Sequence, residues 1–518
     1  MPRGTSSGAE SAATDSYLPH IAHGAAVNYA GIIARMVFLY GYTYLLARML
    51  PVAELGTFFL IFSMISLLGL ASLAGLDHGV VRYVALYAGE GKPGLAWRTV
   101  KVALIFGLPV ASLVTVGLIV MAPQAGEHFF DGSAEAVSAL RIFAFAIPLL
   151  VAARMFNAAT QGMHRMKYQV LSRDFGEQIA KIGLSAGALV FGLGLAGVIW
   201  ANLASVAVAA ALSLIFALMV LAGPAKHSRS EITGDRPMAA ILRYSYPLAF
   251  SAVMAAMMLT ISTLLLGLLG TSEDVGFYGV ALRISLFGTK IVAAFITVFA
   301  PVIAHLWNQR KTEELEGLYV TVGRWIFILT FPIFLIIILF ADSLMLIFGE
   351  GFVAGSNALI ILATGQFLAA LTGAAGLMVL MTGRSKLELL NIAVALSTVI
   401  GLCLLLIPRY GVAGAAMAHL SALGIVNLLR VVEIWILMRM HAYNLGYLKP
   451  LLAGGIAAVL AGLAGRFVIP EEGLVQVAVL ASLFLLVYVF SMGVLGLNEQ
   501  DKDLLRRIKA SAAQYRAA

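Results

Sequence analysis

The chain is a succession of apolar runs joined by short polar or glycine-rich stretches. Each run is about as long as the ~20 residues a helix needs to cross the hydrocarbon core of a bilayer. A window of that length predicts spans at 23–46, 55–78, 98–122, 138–160, 176–193, 195–222, 243–269, 277–304, 322–347, 356–381, 385–407, 411–438, 449–468 and 474–496. The fifth and sixth share the short turn Gly192–Gly197, and the twelfth carries Arg430 and Glu433. The longest outer loop expected is Pro123–Val137. The pattern predicts an all-α polytopic membrane protein of about fourteen transmembrane helices.

Composition agrees. Of 518 residues, 61% are apolar and 12% charged, against about 25% charged in soluble domains. The single cysteine, Cys403, excludes an intramolecular disulfide and a Cys-based metal site. The first twenty residues are polar and Ser/Gly-rich, and the run after them is as long as a span, so no cleaved signal peptide is expected.

The net charge of +8 suggests a nucleic-acid partner until the cations are located. With the N-terminus in the cytoplasm, 25 of the 34 Lys and Arg fall in the tails and in loops on that side. Arg173, Lys181 and Arg324 belong to this set. Only Arg48, Arg409 and Arg466 fall in the opposite loops, and the other 6 lie in or at the ends of spans. That asymmetry is the positive-inside rule. Both termini are expected in the cytoplasm, and no nucleic-acid partner is expected.

The first half of the chain recurs in the second. Glu54-Leu55-Gly56 after span one returns as Asp274-Val275-Gly276 after span seven; Gly162 after span four returns as Gly383 after span ten; Gly194-Leu195-Ala196-Gly197 returns as Gly411-Val412-Ala413-Gly414. The offsets are 220, 221 and 217 residues, in unchanged order. A unit of six spans used twice enters the membrane from the same side each time, which gives a parallel repeat. Such halves hold a substrate between them and expose it to each face in turn. The expected organisation is a cytoplasmic tail (1–22), an N-lobe (23–222), a linker (223–242), a C-lobe (243–440), two further spans (441–496) and an amphipathic cytoplasmic tail (497–518).

A charge at mid-bilayer costs about 2.5–3.5 kcal/mol on insertion scales, so it faces the bundle interior or a wet cavity. Arg35 lies near the midplane of span one, with Asn28 and Tyr42 seven residues to either side. Arg283 and Lys290 are seven apart in span eight, hence on one face if the helix is continuous. Arg154 shares a face with Asn157 and Gln161 in span four. Arg154 and Arg283 are also near enough to span ends to reach the interface, and both readings stand for them. Acids are few: Asp77, with Arg82 nearby; Glu433, with Arg430 at i−3; and Asp342. Cations that outnumber acids make a cavity suited to a phosphate-bearing substrate. Asp77 and Glu433 are the candidates for a coupled cation. Glu177 and Lys181 read as a structural i,i+4 ion pair. There is no nucleotide-binding Gly-rich loop and no His cluster with metal spacing; no cofactor and no enzymatic chemistry are expected.

Ala47-Arg48-Met49-Leu50, Glu54-x-Gly56-x-Phe58 and the run Leu70–Tyr83 (LASLAGLDHGVVRY) resemble the opening of Wzx-type oligosaccharide flippases. These belong to the multidrug/oligosaccharidyl-lipid/polysaccharide exporter superfamily. Gln161-Gly162-x-x-Arg165-x-Lys167 and Pro301 are similar to that group too. The resemblance implies two six-helix lobes plus two helices, in the bacterial inner membrane. It implies movement of an undecaprenyl-diphosphate-linked glycan to the outer leaflet, with membrane lipids around it and a polysaccharide polymerase and chain-length proteins as partners. The competing readings are a cation-coupled drug antiporter or a lipid II flippase of the same superfamily, a glycan polymerase or ligase, and a scaffold.

Overall fold

The computed structural model describes residues 36–222, 237–441, 443–467 and 474–496. Each predicted span has a helical counterpart among them. The tail 1–22, Asn28 and Arg35, residues 223–236 of the linker, and the tail 497–518 lie outside the described residues.

Hydrocarbon offers the backbone no hydrogen-bond partner, so a lipid-facing segment must bond its own N–H and C=O groups, as a helix does. Ten helices among the described residues are long and apolar enough to cross a membrane. One of them, Ser385–Met438, is broken at Gly411 (φ 51°, ψ −125°) and holds two crossings. Glu388 bonds Arg430 and Asn391 bonds Glu433, each pair 42 residues apart and centred near residue 410. Such pairing is that of an antiparallel hairpin folded at Gly411. Three predicted spans are not among the ten. The first begins outside the described residues. The fifth is a short α-helix, Glu177–Val190, fronted by a π-helix, Val170–Gly176. The eighth is split into Ser272–Ser285 and Thr289–Asn308.

The long outer loop expected at Pro123–Val137 is absent. The third span runs unbroken through Pro123 from Pro93 to Phe129, and Ser133 already caps the next helix by accepting from the Ala136 N–H. Proline removes one helical hydrogen bond without ending a helix whose neighbouring turns are packed.

The chain divides into two compact units, Met1–Thr260 and Ile261–Ala518. In the first, span two breaks at Ala74 and Gly75, both left-handed (φ 46° and 69°), before Leu76–Gly89 resumes. A Cβ on Gly75 would lie 2.5 Å from the Ser245 carbonyl oxygen, so glycine is what lets the first half of the Pro237–Leu269 helix seat against this break. In the second unit, the tenth span breaks between Ser356–Leu371 and Ala375–Met381. There Gly373 (φ 62°) approaches Gly323 so closely that a Cβ would fall 2.7 Å from its Cα. The last two spans, Leu448–Phe467 and Leu474–Leu495, pack on the ninth, Thr312–Leu339, through Phe327, Phe331, Tyr447, Phe484 and Tyr488. The Tyr488 hydroxyl donates to the Ile328 carbonyl at 2.9 Å.

The sequence repeat is visible in the backbone. Gly194 and Gly411, paired at an offset of 217, have the same φ of 51° and open the sixth and twelfth spans. The buried positions of the fifth span, Lys181, Ser185 and Leu189, recur 218 residues on as Val399, Cys403 and Ile407, also buried.

Candidate anion-binding cavity

Within the first unit, spans two, four, five and six enclose a cavity of about 140 Å³. Span two contributes Phe62, Ile65 and Gly69; span four Phe143, Leu150, Arg154 and Asn157; span five Arg173, Glu177 and Lys181; span six Asn202, Val206 and Ala209. Three cations and one carboxylate therefore share one recess, a balance of +2.

Local structure explains the arrangement. Arg173, Glu177 and Lys181 follow one another at four-residue spacing, which stacks them on one helix face. The π-helix over 170–176 precedes them, a form that recurs at functional sites. It is anchored by the Ser172 hydroxyl, which donates to Asn157 Oδ1 at 2.9 Å with both residues buried. The Lys181 ammonium lies 3.6 Å from Glu177 and 5.7 Å from the ring centroids of Tyr42 and Phe62. Asn202 Nδ2 donates to the Tyr42 hydroxyl at 2.6 Å, and Tyr42 meets Ser185 at 3.2 Å. Arg173, Asp77 and Glu177 all lie within electrostatic range of Arg154. A site with this sign, held by buried hydrogen bonds, suits an anion better than a cation.

Of the sequence candidates, Arg154 and Asn157 line this cavity. Tyr42 stands behind it, joined through Asn202. Gln161 is half-buried one turn further along span four and is not on the wall. Asp77 is half-buried and accepts from its neighbour's N–H, that of His78. Its expected companion Arg82 instead stacks its guanidinium 4.2 Å from the Tyr244 ring centroid.

Arg283 and Lys290 belong to the second unit, and both are half-buried. Their seven-residue spacing does not place them on one helix face, because the helix is interrupted at 286–288 between them. Arg283 donates to the Gly279 carbonyl at 2.9 Å. Glu433 is not the partner of Arg430. The hairpin brings Glu388 to Arg430 and Asn391 to Glu433, 2.8 Å away, because antiparallel pairing reaches further than the i−3 neighbour.

Arg173 and Lys181, expected on the cytoplasmic side by charge sorting, line the cavity instead, together with Asn202, which the sequence pattern does not single out. Their four-residue ladder at the head of an apolar span was the available signal. Arg324, assigned likewise, is 1% exposed, inside the second unit beside Tyr447. Among the described residues no group of three or more His, Cys, Asp or Glu assembles as a metal site.

The second unit is apolar at four of the equivalent positions, while Arg173 and Asn202 correspond to the buried polar residues Asn391 and His419. By the repeat offsets of 221 and 218, Arg154, Asn157, Glu177 and Lys181 correspond to Ala375, Met378, Ala395 and Val399, all 0% exposed.

The profile of the polysaccharide biosynthesis protein family matches residues 21–307, more than half of the chain. No curated protein matches the chain. Among solved structures, the lipid II flippase MurJ in an inward closed conformation has a TM-score of 0.71 at 15% identity, over 92% of this chain and 99% of its own. An inward-facing multidrug resistance transporter of the MATE family, in the MOP superfamily, has 0.65 at 16% identity, over 78% and 94%. A mutant of the Vibrio cholerae MATE transporter VcmN has 0.54 at 14% identity, over 84% and 99%. The chain shares its fold with these structures, which are transporters and a flippase.

Proposed function

The chain belongs to the polysaccharide biosynthesis protein family, and we propose that it is a multi-pass flippase of the MOP superfamily that moves a polyprenyl-diphosphate-linked oligosaccharide from the cytoplasmic to the outer leaflet for surface polysaccharide synthesis. The membrane would be the bacterial inner membrane, with both termini cytoplasmic. The observation that carries the reading is the cavity of Arg154, Arg173 and Lys181, balanced by Glu177 alone. Diphosphate oxygens accept charge-assisted hydrogen bonds from guanidinium and ammonium groups. Asn157 and Asn202 beside Phe62 and Phe143 supply amide and ring contacts of the kind that hold sugars. Arg35, Arg283 and Lys290 are further cationic candidates along the path. The polyprenyl tail stays in lipid, so the protein carries only the head group. No bond is made or broken. Because the head group is charged, the membrane potential contributes about 2.3 kcal/mol per charge per 100 mV.

A carrier of organic cations would be opposed by the cavity's sign, which ranks the drug antiporter second. The test is mass spectrometry of lipid-linked glycans in cells with and without the gene, and with Arg154→Ala/Lys181→Met. Accumulation of one polyprenyl-diphosphate glycan in the deletion strain and in the variant supports the reading. Unchanged glycan lipids in a strain without a second homologue refute it.

A further inference from the structure

The second unit contains a histidine for which the proposed transport has no use. His419, on the twelfth span, is 1% exposed, and neither ring nitrogen has a hydrogen-bond partner among the described residues. Its surroundings follow from register. Cys403 and His419 lie eight residues before and after Gly411, so both sit about 12 Å from the fold of the hairpin at 1.5 Å per residue. Ser262 and Tyr278 lie seven and six residues from the facing helix ends, Leu269 and Ser272, about 9–11 Å deep by the same rise. The Cys403 thiol meets the Ser262 hydroxyl at 3.8 Å. The Tyr278 hydroxyl, beside Ser262 and Cys403, has no partner in good hydrogen-bonding geometry.

The repeat gives this level its meaning. Ser262, Cys403 and His419 lie 220, 218 and 217 residues after Tyr42, Ser185 and Asn202. In the first unit those three are joined by hydrogen bonds of 3.2 and 2.6 Å. The second unit keeps the same positions but replaces the amide with an imidazole that is left unbonded. A neutral imidazole always has one donor and one acceptor, so burying it unbonded opposes folding. Buried polar groups without partners mark an internal water, an ion or a functional role.

We propose that His419 is a proton-binding site of the second unit. The imidazole is neutral while the twelfth span is packed on the tenth. It takes a proton from water when that packing loosens, and as imidazolium it resists reburial. The groups that meet it decide this. The tenth-span helices Ser356–Leu371 and Ala375–Met381 carry no titratable residue, and neither does 261–269 of the seventh. Span eight's first half offers Tyr278, Glu273, Asp274 and Arg283. Asp274 is committed to the capping box with Thr271, and Arg283 to the Gly279 carbonyl. The hairpin offers Cys403 at the same level. Arg409 and Tyr410 stand at its fold, and Lys386, Glu388, Arg430 and Glu433 toward its open end. None of these elements sets an uncommitted carboxylate at this level, so an imidazolium there would have no acidic partner.

The chain's only cysteine is a built-in reporter of the same level. Purified full-length protein in detergent would be labelled with 4,4′-dithiodipyridine, which reacts with thiols in acid, at about pH 8 and about pH 5.5. Dividing each wild-type rate by that of His419→Asn, the residue of the sister unit, removes the reagent's own pH dependence. A single proton bound on opening raises the open population by up to about tenfold per pH unit. The ratio is expected to stay near one at the higher pH and rise about tenfold at the lower. A ratio that does not change with pH overturns the proposal. His419→Gln, screened by size exclusion, replaces His419→Asn if the latter does not fold. The assay needs no glycan, so its failure and that of the flippase reading are separate.

Discussion

Removing the cavity's one carboxylate or one of its cations should move anion affinity in opposite directions. The perturbations are Glu177→Gln, which raises the balance from +2 to +3, and Lys181→Met, which lowers it to +1. A sphere of 140 Å³ has a radius of about 3 Å, so an anion at its centre lies about 5 Å from either group. At an effective dielectric of about 20, one unit charge at about 5 Å contributes about 3 kcal/mol. Residual solvent and side-chain freedom lower that to about 1–2 kcal/mol, or roughly five- to thirtyfold in Kd. The assay is microscale thermophoresis of detergent-solubilised protein with farnesyl diphosphate, at two salt concentrations, with size exclusion to confirm folding. Lys181→Met is expected to weaken binding by roughly tenfold and Glu177→Gln to tighten it by about fivefold. Both substitutions break the same ion pair. If that pair only stabilises the fold, both variants will weaken binding or neither will change it, and that result refutes the anion site.

Two predictions concern what holds the cavity and the hairpin in place. Gly75→Ala sets a Cβ against the Ser245 carbonyl at φ 69° and is expected to lose about 2–4 kcal/mol. Gly91→Ala, at φ 70° with nothing within 4 Å of the Cβ, should lose only the backbone strain of about 1 kcal/mol; thermal melting in detergent measures both, and equal losses would remove the packing argument. Arg430→Ala leaves Glu388 without its guanidinium and is expected to lose about 2–4 kcal/mol, while Arg430→Met/Glu388→Leu loses less than the single substitution. A double variant that melts below Arg430→Ala would contradict the pairing.

The spans were legible because the bilayer imposes one length and one hydropathy on every crossing, and the observed helices overlap each predicted run. What could not be read was where a helix breaks without a polar interruption. The stop at Ala74–Gly75 depends on a packing partner far along the chain, the Ser245 carbonyl, and the stop at 286–288 falls inside a run long enough to be one span. The second stop undid the shared face inferred for Arg283 and Lys290. Charge sorting located loops well, yet it treated every cation near a span end as solvated. Arg173, Lys181 and Arg324 show the weakness of that step. Lysine and arginine stems are long enough to turn inward where π-helical register, an acid four residues away or a tyrosine cluster receives them. Arg154 is legible because it shares a helix face with Asn157 inside an apolar run, although a route to the interface is open to it as well.

The repeat supplies the sharpest test of what the cavity is for. The two halves of the repeat share a glycine-opened span and buried positions, yet where one has Arg154, Asn157, Glu177 and Lys181 the other has Ala375, Met378, Ala395 and Val399. The architecture can therefore be built without charge at these four positions, and whether the ionic set in the first unit serves folding or binding is decided by exchanging it. Transplanting the sister residues, as Arg154→Ala/Asn157→Met/Glu177→Ala/Lys181→Val, removes both partners of the ion pair together. Exchanging a buried pair for apolar groups is often neutral or stabilising by about 1–4 kcal/mol. The variant is expected to reach the membrane at normal level and to melt within a few degrees of the wild type. It should bind farnesyl diphosphate at least tenfold more weakly and fail to restore surface polysaccharide in the deletion strain. Full complementation by this variant would show that the cavity's charge is dispensable for transport, and the proposed site would have to be given up.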